Sequence, residues 1–215
     1  PSVIAGDQAR LGEEVRAIDA AGADLVHLDV MDGRFVPNLT LGPGVIADLR
    51  PHSRLPFDCH LMLAEPERYI EVFAKAGADR ISVHVEVPGA AEALAAIRGL
   101  GRVPGIVINP DTPPENAISF LGMADFAIVM TVHPGFYGQK LIPECLDKVA
   151  VLKHNARALG RKLVVSVDGG VSIENASRIA SAEADEVVAG AAVFKSADYR
   201  TAIRDLRQSG TEIGA

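Results

Sequence analysis

The segment AGADLVHLDV, residues 21–30, gives the clearest indication of the fold class, because it joins the end of a helical pattern directly to a short apolar strand. A second copy, AGADRISVHV, occupies residues 76–85, and weaker copies begin at residues 122 and 182. In each copy small residues end an amphipathic helical run, and in three of them a glycine suits a left-handed helix cap. The chain therefore uses one type of helix-to-strand joint four times.

Further β-like segments lie between these joints, at Ser2–Ile4, Phe57–Met62, Gly105–Ile108 and Leu163–Val167. Helical patterns separate the strands, at Gly12–Ala21, Pro66–Ala76, Ala90–Leu100, Glu144–Leu159 and Ser172–Ala182. Strict alternation of short strands and helices predicts right-handed βαβ units and a parallel sheet. Eight such units, of about 27 residues each, predict an α/β fold, a (β/α)8 TIM barrel forming one domain over residues 1–215. An open doubly wound sheet is the alternative, but no G-x-G-x-x-G follows the first strand.

Composition narrows the class of protein and its partners. The chain has 215 residues, 48% of them hydrophobic, and a formal net charge of −7. These values indicate a globular aliphatic core and disfavour nucleic acid, whose phosphates are bound by clustered Lys and Arg. Cys59 and Cys145 are too few for a disulfide framework, and no apolar run is long enough for a membrane span. We expect a cytoplasmic protein with a small-molecule partner and neither nucleic acid nor membrane.

Four polar residues interrupt or end the apolar strands. His27 and Asp29 alternate within one strand and therefore point to the same side, while His60 and Asp168 stand towards the ends of two others. Since the catalytic groups of a barrel lie at the carboxyl ends of its strands, the four side chains should converge. Two imidazoles and two carboxylates suit Zn²⁺, Mn²⁺ or Fe²⁺, whereas Ca²⁺ and Mg²⁺ prefer oxygen ligands alone. Taken singly, each residue could instead be a hydrogen-bonded core residue or a cap.

A metal beside two carboxylates suits the removal of a proton next to a carbonyl group. The metal would polarise the carbonyl oxygen and stabilise an enediolate, while one carboxylate takes the proton. If Asp29 and Asp168 flank the substrate on opposite faces, the second returns a proton from the other side. That exchange would invert the configuration at one carbon atom.

Glycines follow the last three predicted strands. They lie in the segment MTVHPGFYGQ, residues 130–139, in the pair Gly169-Gly170, and at Gly190 before Ala191. Barrels often bind phosphate in this quarter, where glycine lets backbone N–H groups approach the oxygens. A turn also needs glycine, so each pair alone is a weak signal. Together they predict a phosphate site.

Taken together, the motifs resemble the ribulose-phosphate 3-epimerase family over nearly the whole chain. The matching stretches are PSVIAGDQARLG (1–12), HLDVMDGRFVPN (27–38), DCHLM (58–62), INPDTP (108–113), MTVHPGFYGQ (130–139), SVDGGV (166–171) and VAGAAVF (188–194). The resemblance implies a ribulose-phosphate-binding TIM barrel in which His27, Asp29, His60 and Asp168 hold the metal. It also implies that Asp29 and Asp168 form the acid/base pair. The substrate contacts that it implies are Ser2, His60, Gly135, Phe136, Tyr137, Gly138, Gly169, Gly170, Gly190 and Ala191.

The activity that the resemblance implies is interconversion of D-ribulose 5-phosphate and D-xylulose 5-phosphate in the pentose phosphate pathway, with one divalent Zn, Fe or Mn ion. We also expect a homo-oligomer. Departures from the family pattern gather near the substrate and phosphate, at Ala5, Gln8, His133, Tyr137 and Ala191. Allulose-6-phosphate 3-epimerase, or an epimerase of another ketose phosphate, therefore remains the alternative.

Two other classes of function stay open at this point. Related phosphate-binding barrels include aldol lyases and decarboxylases, which place a lysine beside the strand-end aspartate. Here Val30, Met31 and Asp32 follow Asp29, with no lysine. A catalytically inactive sugar-phosphate binder would bind its ligand without exchanging hydrogen isotopes with solvent.

Overall fold

The computed structural model describes residues 1–211. Within them seven parallel strands form one sheet in which every strand pairs with the next along the chain. The strands are β1 (Val26–Met31), β2 (Phe57–Met62), β3 (Arg80–His84), β4 (Val103–Ile108), β5 (Phe126–Met130), β6 (Val164–Asp168) and β7 (Glu186–Val188). Sequential parallel pairing with a helical connection after each strand is the topology of a (β/α)8 barrel, which confirms the predicted fold class.

Helices alternate with the strands along the chain. They are α1 (Leu11–Ala20), α2 (Pro43–Leu49), α3 (Ile70–Ala76), α4 (Ala90–Gly99), α5 (Glu115–Ile118), α6 (Asp147–Ala158), α7 (Ile173–Ser181), α8 (Ala191–Phe194) and α9 (Tyr199–Thr211). Short 3₁₀ turns precede two of them, at Pro66–Arg68 and Pro143–Leu146. The five helical patterns found in the sequence are thus confirmed, whereas α2, α5, α8 and α9 were not predicted. None of the helices in residues 1–211 combines the length and apolar character needed to cross a membrane.

The first predicted strand, Ser2–Ile4, is wrong in extent. Val3–Ala5 forms a 3₁₀ turn, and only Ser2 makes a parallel bridge, to His27. The backbone N–H of Ser2 donates to Ala189 O (3.1 Å), and that of His27 donates to Pro1 O (3.0 Å). Residues 1–2 therefore join β1 to the segment after β7 and close the barrel in place of a full strand. A segment of three residues is too short for its hydrophobic periodicity to distinguish a strand from a tight turn.

The aspartate of the repeated joint fixes the neighbouring strand. Asp79 Oδ2 accepts a hydrogen bond from the backbone N–H of Phe57 (2.9 Å), and Asp185 Oδ2 accepts one from Val165 (2.8 Å). Gly77, with φ 107°, ends α3 in the left-handed conformation that the pattern predicted. The joint thus reverses the chain and bonds the first N–H groups of an adjacent strand.

The interior of the barrel contains a charged layer at the amino ends of its strands. The Arg80 guanidinium makes two hydrogen bonds of 2.9 Å to the Glu186 carboxylate and lies 4.0 Å from the centre of the Phe126 ring. Arg80 Nε is also 3.4 Å from Asp58 Oδ1. Phe126 is fully buried and fills the space beside Gly105, where an added Cβ would lie 2.2 Å from the ring.

We predict that Gly105→Ala lowers the free energy of unfolding by about 1–3 kcal/mol, because the added methyl group must displace the Phe126 ring from a packed interior. Urea denaturation measures the difference. The matched control is Gly44→Ala in α2, where nothing lies within 4 Å of the added methyl group. There the stability should be unchanged or rise by about 0.5–1 kcal/mol, since alanine favours a helix more than glycine does. Equal effects of the two substitutions would contradict this account of the interior.

Candidate active site

The four residues predicted as metal ligands converge at the carboxyl end of the barrel. His27 and Asp29 come from β1, His60 lies opposite Asp29 in β2, and Asp168 ends β6. One ligand atom of each lies within 4.8 Å of the others. His27 Nε2 and His60 Nδ1 are each 3.4 Å from Asp29 Oδ1 and 3.7 Å from Asp168 Oδ2. We call these four residues the His–Asp cluster.

The chemistry of the cluster fits a divalent transition metal. His27 Nε2 and His60 Nδ1 are buried and have no hydrogen-bond partner within the described part of the chain. Buried polar atoms are rarely left without partners, so two such nitrogens aimed at two carboxylate oxygens indicate a site for a cation. A mixed set of two nitrogen and two oxygen donors suits Zn²⁺, Mn²⁺ or Fe²⁺. The cluster could therefore hold the predicted metal.

His27 is held by a buried carboxylate behind it. Its Nδ1 donates a 3.0 Å hydrogen bond to Asp58 Oδ2, which turns Nε2 towards the cluster. Burial by itself would lower the pKa of His27, but the negative charges of Asp29 and Asp58 and the hydrogen bond to Asp58 outweigh it and raise that pKa well above its ordinary value. Burial likewise would raise the pKa of Asp29, but His27 and His60 lower it. Asp29 is therefore ionised near neutral pH.

Asp29 is fixed by contacts from two other segments. The Ser2 hydroxyl donates a short hydrogen bond to Asp29 Oδ2. The Thr40 hydroxyl donates to the backbone oxygen of Asp29 (2.5 Å) and accepts from the N–H of Met31 (2.9 Å). The carboxylate can therefore direct Oδ1 to the cluster while Ser2 holds the other oxygen.

A cavity of ≈ 380 Å³ opens beside the cluster, and Asp29 and Asp168 belong to its wall. Met31, Met62 and Met130 supply an apolar part of the same wall. Most of the residues predicted to contact substrate also line it, namely Ser2, Gly135, Phe136, Tyr137, Gly138, Gly169, Gly170, Gly190 and Ala191. His60 does not, because it is fully buried beneath the cavity surface. A small molecule in this cavity would contact both carboxylates.

The glycines after β6 are required by the backbone. Gly169 and Gly170 have φ 119° and 65°, a region that favours glycine. A Cβ on Gly170 would lie 2.2 Å from the backbone nitrogen of Leu141. These close approaches bring the loop after β6 against the loop after β5, and both loops line one end of the cavity.

The departures from the family pattern divide into two groups. Tyr137 and Ala191 line the cavity, and the half-exposed Tyr137 ring lies 5.5 Å from Lys195 Nζ. Gln8 instead donates its side-chain amide to the carbonyl oxygen of Val3 (2.8 Å). His133 Nε2 pairs with Asp111 Oδ2 at the surface (2.9 Å), and Ala5 packs beside Gly190. Only the first group lines the cavity.

The sequence patterns missed His84 and Glu86. His84 Nε2 lies 2.8 Å from His60 Nε2, and His84 Nδ1 lies 3.1 Å from Glu86 Oε2. Burial lowers the pKa of His84 to about 4, so its ring is neutral near pH 7. The signal was present in β3, where Arg80, Ser82 and His84 alternate with apolar residues and share one side of the strand.

Among solved structures, KGPDC from Streptococcus mutans has the same fold, with a TM-score of 0.73 over 96% of this chain and 93% of that one. Only 16% of the residues are identical, so this similarity establishes the fold alone. Fold and site together define a (β/α)8 barrel that carries a His–Asp cluster and a cavity at the carboxyl ends of its strands.

Sequence comparison identifies the family. The model of the ribulose-phosphate 3 epimerase family matches residues 1–194. Ribulose-phosphate 3-epimerase from Synechocystis sp. is 46% identical over 97% of this chain and 92% of the relative. The enzyme of that name from Bacillus subtilis is 44% identical over 97% of both chains. This chain therefore belongs to the ribulose-phosphate 3-epimerase family and is an enzyme of the isomerase class.

Proposed function

We propose that this protein interconverts D-ribulose 5-phosphate and D-xylulose 5-phosphate by inverting C3. The observation that carries the proposal is that Asp29 and Asp168 belong both to the His–Asp cluster and to the wall of the cavity. They come from two strands, β1 and β6, that are not adjacent in the sheet. The names of the relatives from Synechocystis and Bacillus subtilis support the same substrate.

The proposed cofactor is one divalent transition metal held by His27, Asp29, His60 and Asp168. When bound, it supplies Lewis-acid stabilisation of the negative charge that develops on the substrate carbonyl oxygen as a proton leaves the neighbouring carbon. The chain's own contribution is to keep the two imidazoles aimed at one point. Asp58 does this for His27 through the hydrogen bond to Nδ1.

Two carboxylates move the proton in this proposal. In one direction Asp29, ionised, takes the proton from C3, and Asp168, protonated, delivers one to the opposite face of the same carbon. Asp29 ends protonated and Asp168 ionised, so the reverse reaction uses the same groups with their roles exchanged. The hydroxyl of Ser2, bonded to Asp29 Oδ2, keeps that carboxylate in place during the transfer.

The apolar part of the cavity wall would protect the planar enediolate intermediate from water. Met31, Met62 and Met130 line the cavity and would exclude water from the reacting carbon. Exclusion of water lengthens the life of the enediolate within the site, so that it is reprotonated by a carboxylate and not by solvent. The unbranched thioether side chains can also adapt to two substrates that differ only at C3.

The phosphate group, we propose, occupies the glycine-lined end of the cavity. Three segments meet there: residues 135–138, Gly169-Gly170 and Gly190-Ala191. Their backbone N–H groups can approach phosphate oxygens closely where no Cβ intervenes. The absence of a hydroxyl at Ala191 removes one side-chain donor, so phosphate binding depends on the backbone and on Tyr137.

A longer ketose phosphate such as allulose 6-phosphate is the second candidate substrate. It is favoured by one specific observation: two of the positions that depart from the family pattern, Tyr137 and Ala191, both line the cavity. The bulk of Tyr137 could alter the length available to the substrate, whereas the reacting end keeps every predicted acid/base and ligand residue.

We predict that Asp29→Asn and Asp168→Asn each lower kcat by about 10² to 10⁴, because an amide cannot take or return the proton. Asp48→Asn is the control, since it removes an exposed carboxylate from α2 and should leave turnover unchanged. In deuterated water the wild-type product should carry solvent deuterium at C3. Product that keeps all of its original hydrogen, or an Asn variant with full activity, would contradict the two-aspartate mechanism.

We also predict that kcat/KM for ribulose 5-phosphate exceeds that for unphosphorylated ribulose by about 100-fold or more, since hydrogen bonds to a charged group contribute about 1.5–3 kcal/mol each. Allulose 6-phosphate is assayed in parallel. A chelator should abolish turnover of both phosphorylated sugars, and added metal should restore it.

Equal kcat/KM for ribulose and ribulose 5-phosphate would contradict the phosphate site. The double substitution Tyr137→Gly with Ala191→Ser tests the choice of substrate. If it raised kcat/KM for ribulose 5-phosphate by about tenfold, equivalent to about 1.4 kcal/mol of transition-state stabilisation, ribulose 5-phosphate would not be the natural substrate.

A further inference from the structure

A chain of hydrogen bonds runs outward from His60, on the side away from the cavity. His60 Nε2 and His84 Nε2 lie 2.8 Å apart, and His84 Nδ1 lies 3.1 Å from Glu86 Oε2. The other carboxylate oxygen, Glu86 Oε1, accepts the backbone N–H of Asn109 (2.9 Å). Both imidazole rings are buried, with 0% and 1% exposure. We call His60, His84 and Glu86 the histidine relay.

The direction of every hydrogen bond in the relay follows from its outer end. An ionised carboxylate only accepts, so the His84 proton must sit on Nδ1 and point at Glu86. A neutral His84 then presents a bare Nε2, which can only accept. The facing His60 Nε2 must therefore carry the His60 proton. A neutral His60 consequently keeps Nδ1 bare, and Nδ1 is the atom aimed at Asp29 and Asp168.

We propose that His84 and Glu86 are positioning residues that fix the tautomer and orientation of His60 so that its Nδ1 is ready to bind the metal. This inference rests on the proposed function, because it concerns the same cofactor. It assigns a role to two residues that belong neither to the cavity wall nor to the His–Asp cluster.

The two histidine ligands are thus prepared by different means. His27 presents Nε2, and its Nδ1 donates directly to the carboxylate of Asp58. His60 presents the opposite nitrogen, Nδ1, and reaches its carboxylate through a second imidazole. In both cases one ring nitrogen is occupied by an acceptor, which leaves the other nitrogen as the donor atom for a metal.

The outer end of the relay is anchored in the loop after β4. The buried Lys148 ammonium on α6 donates to the backbone oxygens of Asn109 (2.8 Å), Pro110 (2.7 Å) and Thr112 (2.7 Å). These bonds hold the loop that supplies the N–H group to Glu86. A mobile Glu86 carboxylate could not fix the direction of the hydrogen bonds in the histidine relay. The loop held by Lys148 therefore supports the orientation of Glu86.

Packing prevents the rings of the relay from rotating. The His60 and His84 rings lie edge to edge, with their Nε2 atoms 2.8 Å apart, centroids 5.0 Å apart and planes inclined by 26°. The Phe35 ring also packs against His84, with centroids 4.5 Å apart and planes inclined by 49°. The other tautomer of His84 would set its N–H against the His60 N–H between two buried rings, and a flipped His84 ring would present a C–H group to His60. The packed rings and the single acceptor at Glu86 therefore select one arrangement.

The test measures metal affinity, not turnover. His84→Leu places an apolar side chain beside Phe35 and His60 and removes both hydrogen bonds of His84. This substitution should weaken Zn²⁺ binding about 10- to 100-fold. His84→Gln offers a carbonyl oxygen to His60 and an N–H group to Glu86, so it should recover most of that loss. Competition with a chromophoric chelator gives the dissociation constants. His154→Gln, an exposed histidine on α6, is the control and should bind Zn²⁺ like the wild type.

A second measurement needs no substitution in the relay. In ¹⁵N-labelled wild type loaded with Zn²⁺, long-range ¹H–¹⁵N spectra should find the proton on His60 Nε2 and on His84 Nδ1, with His84 Nε2 bare. A proton on His84 Nε2, or a Zn²⁺ affinity that His84→Leu leaves unchanged, would overturn the relay while leaving the proposed function intact. A wild-type protein that binds no divalent metal would contradict the proposed function and the relay together.

Discussion

The closure of the barrel by residues 1–2 is the constraint on which the site depends. Hydrogen bonds from the Ser2 N–H to Ala189 and from the His27 N–H to Pro1 join the two ends of the seven-stranded sheet. This junction lets Asp168, from β6, approach within 3.7 Å of His27 on β1. Ser2 serves both purposes, since its backbone closes the barrel and its hydroxyl holds Asp29. One segment therefore closes the barrel and also holds a residue of the His–Asp cluster in place.

The interior of this barrel is polar along one side, and the two histidines of the His–Asp cluster rest on different supports. Below His27, the carboxylate of Asp58 lies beside the Arg80 guanidinium, which is paired in turn with Glu186. Below His60, the support is the neutral ring of His84. The pKa directions follow this difference: neighbouring carboxylates raise the pKa of His27, whereas burial lowers the pKa of His84 to about 4. Buried groups of this kind would be destabilising without such partners.

The sequence predicted the site best where the side chains follow the two-residue alternation of a β-strand. Alternation along one strand placed His27 and Asp29 on the same side, and the ends of parallel strands brought His60 and Asp168 to them. It was least informative at Ser2–Ile4, which is too short for a period to be recognised. The role of His84 escaped because it depends on a contact between two strands, His60 to His84, that no spacing along the chain encodes. The glycines were found, but a turn and a phosphate site require the same residue type.

We infer that the His–Asp cluster binds the metal on which epimerisation depends. Anomalous diffraction from crystals grown with Zn²⁺, with data collected on both sides of the zinc absorption edge, would locate that metal. We expect one strong anomalous peak at roughly 2.0 to 2.2 Å from His27 Nε2, His60 Nδ1 and an oxygen of each carboxylate. Crystals of the folded protein that show no peak at this position, or zinc bound only elsewhere, would overturn the inference that the His–Asp cluster binds the metal.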